Sequence, residues 1–557
     1  MTELAPSGYP ADLAPSGYED TFARDHLPPR DQWPTLEFTT ELLQYPPRLN
    51  AAVELLDVPT QKYGADRPAL RTPDGEVWTY GELLRRTNQL AGYLTDELGL
   101  VTGNRVMLHS PNNPWTVACW LAVLKAGGIV VTTMSALRAR ELAPIVEKTA
   151  PTIALVDHRF AAAVRELRDS TAPNLRIAVY GGDAPDDLTT LVTDRPADFT
   201  PADTAADDVA LFGPTSGSTG VPKITTHFHR DILSIDNTFG RMTLRLQPDD
   251  VVACTAPFAF TFGLGMLVVF ALRAGACAFL TEKATPPQLA ELVAAHGVTV
   301  LATAPTAYKQ ILRSGNAELL RGLRSAVSAG EHIAVETWRE VHERLGLKII
   351  DGIGATEMLH IFITAAGDDI REGATGKPVP GFRATILDPD GNEVSPGVAG
   401  RLGVIGPVGC RYLADDRQRN YVVNGWNVTG DTFVRDADGY FWYQARTDNM
   451  IVSSGYNIGG PEVEAVLEEH PDVVECAVVA KPDAERGSVV CAFVVLREGS
   501  SADAAALQAF VKGHLAPYKY PRDVRFVDAL PRNASGKLQH FRLRQLVDQE
   551  TAAEPTS

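Results

Sequence analysis

The sequence predicts an α/β fold: a large N-terminal domain of two parallel-rich sheet subdomains plus a β subdomain, and a small α+β C-terminal domain. Three observations carry this prediction. From about Ala51 to Ile350, short apolar strands alternate with helical stretches, the order that builds parallel sheets through right-handed crossovers. From about Gly373 the texture changes to strands punctuated by Gly, Pro and Asp, and after Arg446 a fresh helix–strand–strand–helix unit begins. A chain of 557 residues also exceeds a single hydrophobic core, so two or three domains are expected.

Taken in order, residues 1–50 form an arm and lead-in. The motif LAPSGY occurs at Leu4–Tyr9 and again at Leu13–Tyr18, and the Pro, Gly and Ser content predicts a flexible or surface-draped segment. Thr79 caps a predicted helix running to Leu98, with Leu83, Leu84, Leu90 and Leu94 as its apolar stripe. Arg105–His109 reads as a strand, Pro114–Lys125 as an apolar helix stopped by Gly127-Gly128, and Ile129–Thr133 as the next strand. Ala384–Leu387 and Gly400–Ile405 are expected as strands of the β subdomain. Beyond them Pro461–Glu469 and Ala504–His514 read as helices, and Val473–Ala480 and Val489–Leu496 as strands. The large domain is therefore expected over 51–447 and the small one over 448–557.

Composition narrows the function. The 51 Lys and Arg against 69 Asp and Glu give −18, which argues against a nucleic-acid-binding surface while leaving room for a local basic pocket. Six scattered cysteines form no C-x-x-C pair and no zinc spacing, and read as free buried thiols in a reducing compartment. No signal peptide is evident, and the most apolar stretch, Met266 to Leu272, is broken by Arg273 and too short to span a bilayer. A soluble, cytoplasmic protein is expected, with no membrane partner.

The strongest local signal is Thr215-Ser216-Gly217-Ser218-Thr219-Gly220-Val221-Pro222-Lys223. Small and hydroxylated residues let the backbone approach an anion and offer N–H and O–H donors, while Lys223 adds charge. On its own this stretch also reads as a Gly/Ser-rich surface loop, and the Walker pattern is absent. Further candidates follow in order: Ser328-Ala329-Gly330-Glu331, then Gly354-Ala355-Thr356-Glu357, preceded by Asp351-Gly352. The motif Tyr421-x-x-x-Gly425-Trp426-x-x-Thr429-Gly430-Asp431, then Arg446-Thr447-Asp448, and Pro531-Arg532-Asn533-Ala534-Ser535-Gly536-Lys537-Leu538 complete the series.

Six ordered motifs, spread over roughly Ala51 to Leu546, resemble the adenylate-forming superfamily of acyl-CoA synthetases, luciferases and carrier-protein adenylation domains. The resemblance implies ATP, Mg²⁺ and coenzyme A. It implies that Thr215–Lys223 cradle the phosphates, that Ala329, Gly330 and Glu331 lie along the adenine, and that Asp351 and Gly352 are also ATP/AMP-binding. Thr356 would touch the α-phosphate, Glu357 would hold Mg²⁺, and Asp431 and Arg446 would hold the ribose, Arg446 also nearing the α-phosphate. Lys537 would bridge the substrate carboxylate and the α-phosphate, a cation placed where negative charge builds. Asp448 would be the hinge of a mobile small domain, and Gly455 and Tyr456 would line the coenzyme A tunnel. Asn449 stands where many members carry a second Asp.

The segment Pro257–Gly265 sits where the family places its substrate pocket, and Phe260 replaces a common His. Together with Met358-Leu359-His360-Ile361-Phe362, it resembles benzoate-type aryl-CoA ligases. Phe260, Thr261, Phe262, Gly354, His360 and Ile361 are then the implied aryl-pocket residues, Gly leaving room for a planar ring. Thr226–Asp231 and the region Asp20 to Asn50 look most like 2-aminobenzoate (anthranilate) CoA ligases, with Thr261 and His360 as candidates for the amino contact. Two other readings stay open: transfer to a carrier-protein phosphopantetheine, and a non-catalytic nucleotide- or aryl-acid-binding protein. Monomer and homodimer remain equally open.

Overall fold

In a computed structural model, residues 13–215, 222–446, 450–453, 456–483, 486–515, 517–532, 536 and 538–553 are described. The chain divides into two units, one of 1–384 with 403–428 and the other of 385–402 with 429–557.

The first unit is built on two sheets. One has nine strands, and six of them are parallel neighbours: Pro68–Arg71, Cys277–Phe279, Val251–Cys254, Val300–Thr303, Ser325–Ala329 and Ile350–Gly354. Ile361–Thr364 folds back antiparallel on Ile350–Gly354, with Gly354 opposite Ile361. The other sheet has six strands in the order Arg176–Tyr180, Ile153–Asp157, Arg105–His109, Ile129–Thr133, Val209–Thr215 and Lys223–Phe228. All are parallel except the last pair. Strands such as Ile129–Thr133 and Ile153–Asp157 are buried at every residue, as parallel sheets covered on both faces require.

The helices start where local chemistry dictates. Tyr80–Asp96 opens on Thr79, whose hydroxyl accepts the Glu82 N–H at 3.1 Å. Pro114–Lys125 opens on Asn113, whose side chain accepts the Thr116 N–H at 3.0 Å, with Pro114 at its first position. Among the described residues three segments, Val53–Asp57, Asp236–Leu244 and Gly265–Phe270, wind as π-helices. The apolar run expected at Met266 to Leu272 is buried throughout, and no helix among the described residues is long and apolar enough to cross a membrane.

Of the two expectations for the arm, the draped one describes its residues from 13 onward. Ser16 Oγ and the Gly17 N–H both donate to Asp208, Ala14 N donates to Asp207, and Arg24 pairs with Asp208 at 3.0 Å. Asp20 pairs with Arg105 and accepts from Asn104 at 2.8 Å. The Tyr18 hydroxyl donates to Val209 O at 2.9 Å and lies 3.1 Å from His229 Nε2. Gly17 passes so close that a Cβ there would stand 2.1 Å from Asp203 O. The second LAPSGY copy is therefore pinned rather than free. The first lies outside the described residues.

The second unit carries a three-stranded sheet, Val473–Asp483 antiparallel to Gly487–Leu496, which runs parallel to Asp523–Phe526. Helices Gly460–Glu469, Ala504–His514 and His540–Ala553 belong to it. Val463, Leu467, Val478, Val490, Leu507 and Val511 form part of its core.

Candidate active site

The strands Val209–Thr215 and Lys223–Phe228 pair with Thr215 opposite Lys223, so both deliver their tips to one place. Ser216, Gly217, Ser218, Thr219 and Gly220 lie outside the described residues. Segment 411–413 runs along Lys223–Phe228, where Thr226 N donates to Arg411 O and Leu413 N to Ile224 O, each at 2.8 Å. This pairing sets Tyr412 beside Lys223. Lys223 Nζ donates to the Tyr412 hydroxyl at 2.7 Å, and that hydroxyl donates to Glu357 Oε1. Lys223 Nζ stands 3.6 Å from the same carboxylate oxygen. Burial and the Glu357 charge push the Tyr412 hydroxyl far above its ordinary range, so it stays protonated and donating. Glu357 Oε2 takes no hydrogen bond among the described residues. Thr356 packs on Gly213, where a Cβ would come within 2.9 Å of Thr356 Cγ2.

A second group gathers at the carboxyl ends of the nine-stranded sheet. Ala329 lies opposite Gly352 and Ser328 opposite Asp351. Gly330 turns the chain at φ +93°, and Glu331 accepts from the Thr306 hydroxyl. Asp351 Oδ1 is buried without a hydrogen-bond partner, and burial pushes the Asp351 carboxyl up to about 7. A cavity lined by His332, Trp338, Asp351, Ile370 and Thr375 adjoins it.

The third group is aromatic. His360 is buried against Phe239, Phe262 and Phe270, with ring centroids 5.0, 5.7 and 4.7 Å away. Neither ring nitrogen makes a hydrogen bond of normal geometry, and burial, opposed only weakly by the Phe262 backbone, pulls the imidazole down to about 3, so the ring is neutral. A Cβ at Gly265 would lie 2.3 Å from His360 Cδ2, and one at Gly354 would lie 2.8 Å from His360 O. Both glycines are therefore needed where the cage closes. Leu359, at φ +66°, makes the turn between Glu357 and His360, a strained conformation for a buried branched residue. The structure thus brings Phe262, Gly354, His360 and Ile361 together. Phe260 and Thr261 open the short helix Thr261–Leu264 beside them, as its cap and first residue.

In the second unit Asp431 faces Arg446 across an antiparallel pair, and their side chains meet at 3.3 Å. Gly430, at φ +78°, lies directly under that guanidinium. Tyr456 begins the strand Tyr456–Gly459. Asp448, Gly455 and Lys537 lie outside the described residues.

Sequence reasoning missed Phe239, Phe270 and Tyr412. The two phenylalanines come from the π-helical segments Asp236–Leu244 and Gly265–Phe270, and Tyr412 belongs to a segment with no motif of its own.

Comparison with known proteins accords with this arrangement. Residues 56–412 match the family described as AMP-binding enzyme, and 462–537 match the AMP-binding enzyme C-terminal domain. A benzoate–CoA ligase of Thauera aromatica is 33% identical over 515 residues, covering 91% of this chain and 98% of that one. Among solved structures, the anthranilate CoA ligase AuaEII in complex with anthranoyl-AMP has a TM-score of 0.86 at 30% identity, covering 92% and 100%. ATP-bound MatB from Rhodopseudomonas palustris has a TM-score of 0.81 at 28% identity, covering 89% and 98%. A Gly/Ser-flanked lysine beside a buried carboxylate, both sheets and the C-terminal unit all fall within these matches, and the chain belongs to the AMP-binding enzyme family, the adenylate-forming superfamily, as an AMP-forming acid–CoA ligase that uses ATP, Mg²⁺ and coenzyme A.

Proposed function

We propose that this protein is an aryl acid–CoA ligase. It joins ATP to an aromatic carboxylate with release of pyrophosphate, then passes the aryl group from AMP to the thiol of coenzyme A. The acid favoured is 2-aminobenzoate (anthranilate) or a related substituted benzoate. One observation carries this reading: a neutral histidine, buried among three phenylalanines with both nitrogens unbonded, three residues from the Glu357 carboxylate. Phenyl faces suit a planar ring, and a neutral imidazole offers one donor and one acceptor. An ortho amino group supplies the missing donor, which benzoate lacks, and a site built for such a bond disfavours the acid without it.

Thr215 and Lys223, with Ser216–Gly220, are assigned to the phosphates. Ala329, Gly330, Glu331, Asp351 and Gly352 are assigned to the adenine, and Asp431 and Arg446 to the ribose. The lone acceptor of Asp351 suits an exocyclic amine. Among the described residues no cluster of three or more His, Cys, Asp and Glu gathers to cage a metal. A single buried carboxylate with one open oxygen, as Glu357 has, fits Mg²⁺, which keeps waters and phosphate oxygens around one or two protein carboxylates. When bound, the ion neutralises phosphate charge. Thr356 orients the α-phosphate, and the packed cage keeps water from the carboxylate's ring. Lys537 is assigned to the carboxylate and α-phosphate, Asp448 to the hinge, and Gly455 and Tyr456 to the thiol's path.

Pyrophosphate release with ATP and a panel of substituted benzoates, with and without coenzyme A, tests this reading. Release together with aryl-CoA formation, fastest for 2-aminobenzoate, is expected. Release without thioester points instead to a carrier-protein thiol, and no release overturns the reading. Lys537→Ala is expected to lose roughly a hundredfold or more in adenylation while thioester formation from preformed aryl-AMP survives.

A further inference from the structure

We infer that Tyr412 is a positioning residue for the metal–nucleotide site, a hydroxyl spacer that keeps the Lys223–Glu357 ion pair from closing into a direct hydrogen bond. The inference rests on the assignment of Glu357 to Mg²⁺ and of Lys223 to the phosphates. Its basis is the geometry of three side chains. An ammonium and a carboxylate 3.6 Å apart in a partly buried setting are already an ion pair, and one small movement would close it into a direct hydrogen bond. In that closed pair each would satisfy the other, and a phosphate or a cation would have to break it. The Tyr412 hydroxyl stands in the way. It accepts from Lys223 at 2.7 Å and donates to Glu357 Oε1, so one neutral group occupies one lone pair of the carboxylate and one proton of the ammonium. Two ammonium protons and the whole of Oε2 stay available.

The spacer is itself held rigidly. Tyr412 is fully buried, its ring packs edge-on against Tyr421 at 5.8 Å, and Lys223 lies over both rings at 4.7 and 5.9 Å. Its backbone N–H is fixed by Gln418 at 2.9 Å, and its neighbour Arg411 is anchored by a buried pair with Asp231. Tyr412 touches neither substrate nor metal in this assignment, so it acts through its two charged partners.

Tyr412→Phe keeps the ring, its packing and its cation–π contact, and removes only the hydroxyl. Calorimetric titration of ATP into the full-length enzyme, with and without Mg²⁺, reads the result without turnover. The expected result is a roughly tenfold weaker Kd for ATP with Mg²⁺, a Kd for AMP within about twofold of the parent, and an unchanged Tm. In a Glu357→Gln background the same substitution is expected to add little, because its effect runs through that carboxylate. Parent-like binding with Mg²⁺ overturns the inference. So does an equal loss for AMP accompanied by a lowered Tm, which would mark a purely structural tyrosine. If Glu357→Gln leaves the Mg²⁺ dependence of ATP binding intact, the assignment of Glu357 fails first. If Glu357→Gln abolishes that dependence and Tyr412→Phe does not change it, only the spacer fails.

Discussion

Two buried histidines in the same unit set the arm clasp against the aromatic cage. His229 has both nitrogens bonded: Nδ1 accepts the Ala51 N–H at 3.1 Å, and Nε2 lies 3.1 Å from the Tyr18 hydroxyl. His360 has neither. Burial pulls both below their ordinary range, to about 4 and about 3, so both are neutral and the difference lies in their partners alone. A buried polar group left unbonded costs about 1–3 kcal/mol, and a fold keeps such a group where something else completes it. The clasp is complete before any ligand arrives. The cage is not.

The largest effect that could break this contrast belongs to His360. His360→Phe leaves a ring in the cage and removes both unbonded nitrogens. The kcat/KM ratio of 2-aminobenzoate over benzoate is expected to fall by roughly tenfold or more, while Tm holds or rises because a buried cost disappears. An unchanged ratio would put the amino contact elsewhere, and a lower Tm would show that the imidazole was satisfied after all.

Asp351 extends the contrast to a carboxyl group, with a smaller effect. Its folded-state pKa is raised to about 7 by burial, so the protonated form is the one the fold favours. The stability it contributes is present at acid pH and is lost as pH rises through about 7. A ligand amine donating to Oδ1 favours the carboxylate instead, so ATP binding should tighten several-fold between pH 6 and 8. Asp351→Asn should flatten that slope, as measured by the Kd for ATP across the range. A slope that survives in the variant assigns the titration to another group.

Much of this was legible beforehand, and the reasons are physical. Helix caps at Thr79 and Asn113 and the continuous apolar strands are local features, readable from neighbours in the chain. The ordered motifs led to Thr215, Lys223, Thr356, Glu357, His360, Asp431 and Arg446, the residues proposed for nucleotide and ring, because small, hydroxylated and charged residues in a fixed order leave a local signature. What escaped depends on distant partners or on altered helical pitch. Phe239 and Phe270 face His360 from π-helices, where an added residue per turn shifts the facing that a period of 3.6 would assign. The arm read as flexible or surface-draped from its Pro, Gly and Ser, and the sequence could not choose between the two, since Asp207, Asp208 and His229 lie about two hundred positions away. Within Thr226–Asp231, a stretch whose resemblance pointed to the acid, at least three side chains serve the scaffold. His229 meets the arm, Arg230 pairs with Asp207 at 3.3 Å, and Asp231 pairs with Arg411.

The smallest predicted effect sharpens the contrast from the other side. Tyr18→Phe keeps the arm's ring and removes the hydroxyl that bridges His229 Nε2 and Val209 O. Because Nδ1 accepts from the Ala51 N–H, Nε2 carries the proton of the neutral ring and donates it to Tyr18. The substitution leaves that proton without an acceptor, so His229 keeps one bonded nitrogen and gains one unbonded one, at a cost of about 1–3 kcal/mol. In a chain of this length that loss is spread over a large unfolding entropy, so Tm should fall by only about 1–2 °C. Hydrogen exchange at Gly17 and Ala51 should accelerate far more visibly, because local opening of the arm reports the clasp alone. Adenylation should stay at the parent rate, since among the described residues none of those proposed for the phosphates, ring or thiol touches Tyr18. Parent-like exchange at both amides would mean that the ion pairs of Arg24 and Asp20 hold the arm unaided. A change in aryl selectivity would mean that the two histidines are coupled rather than contrasting.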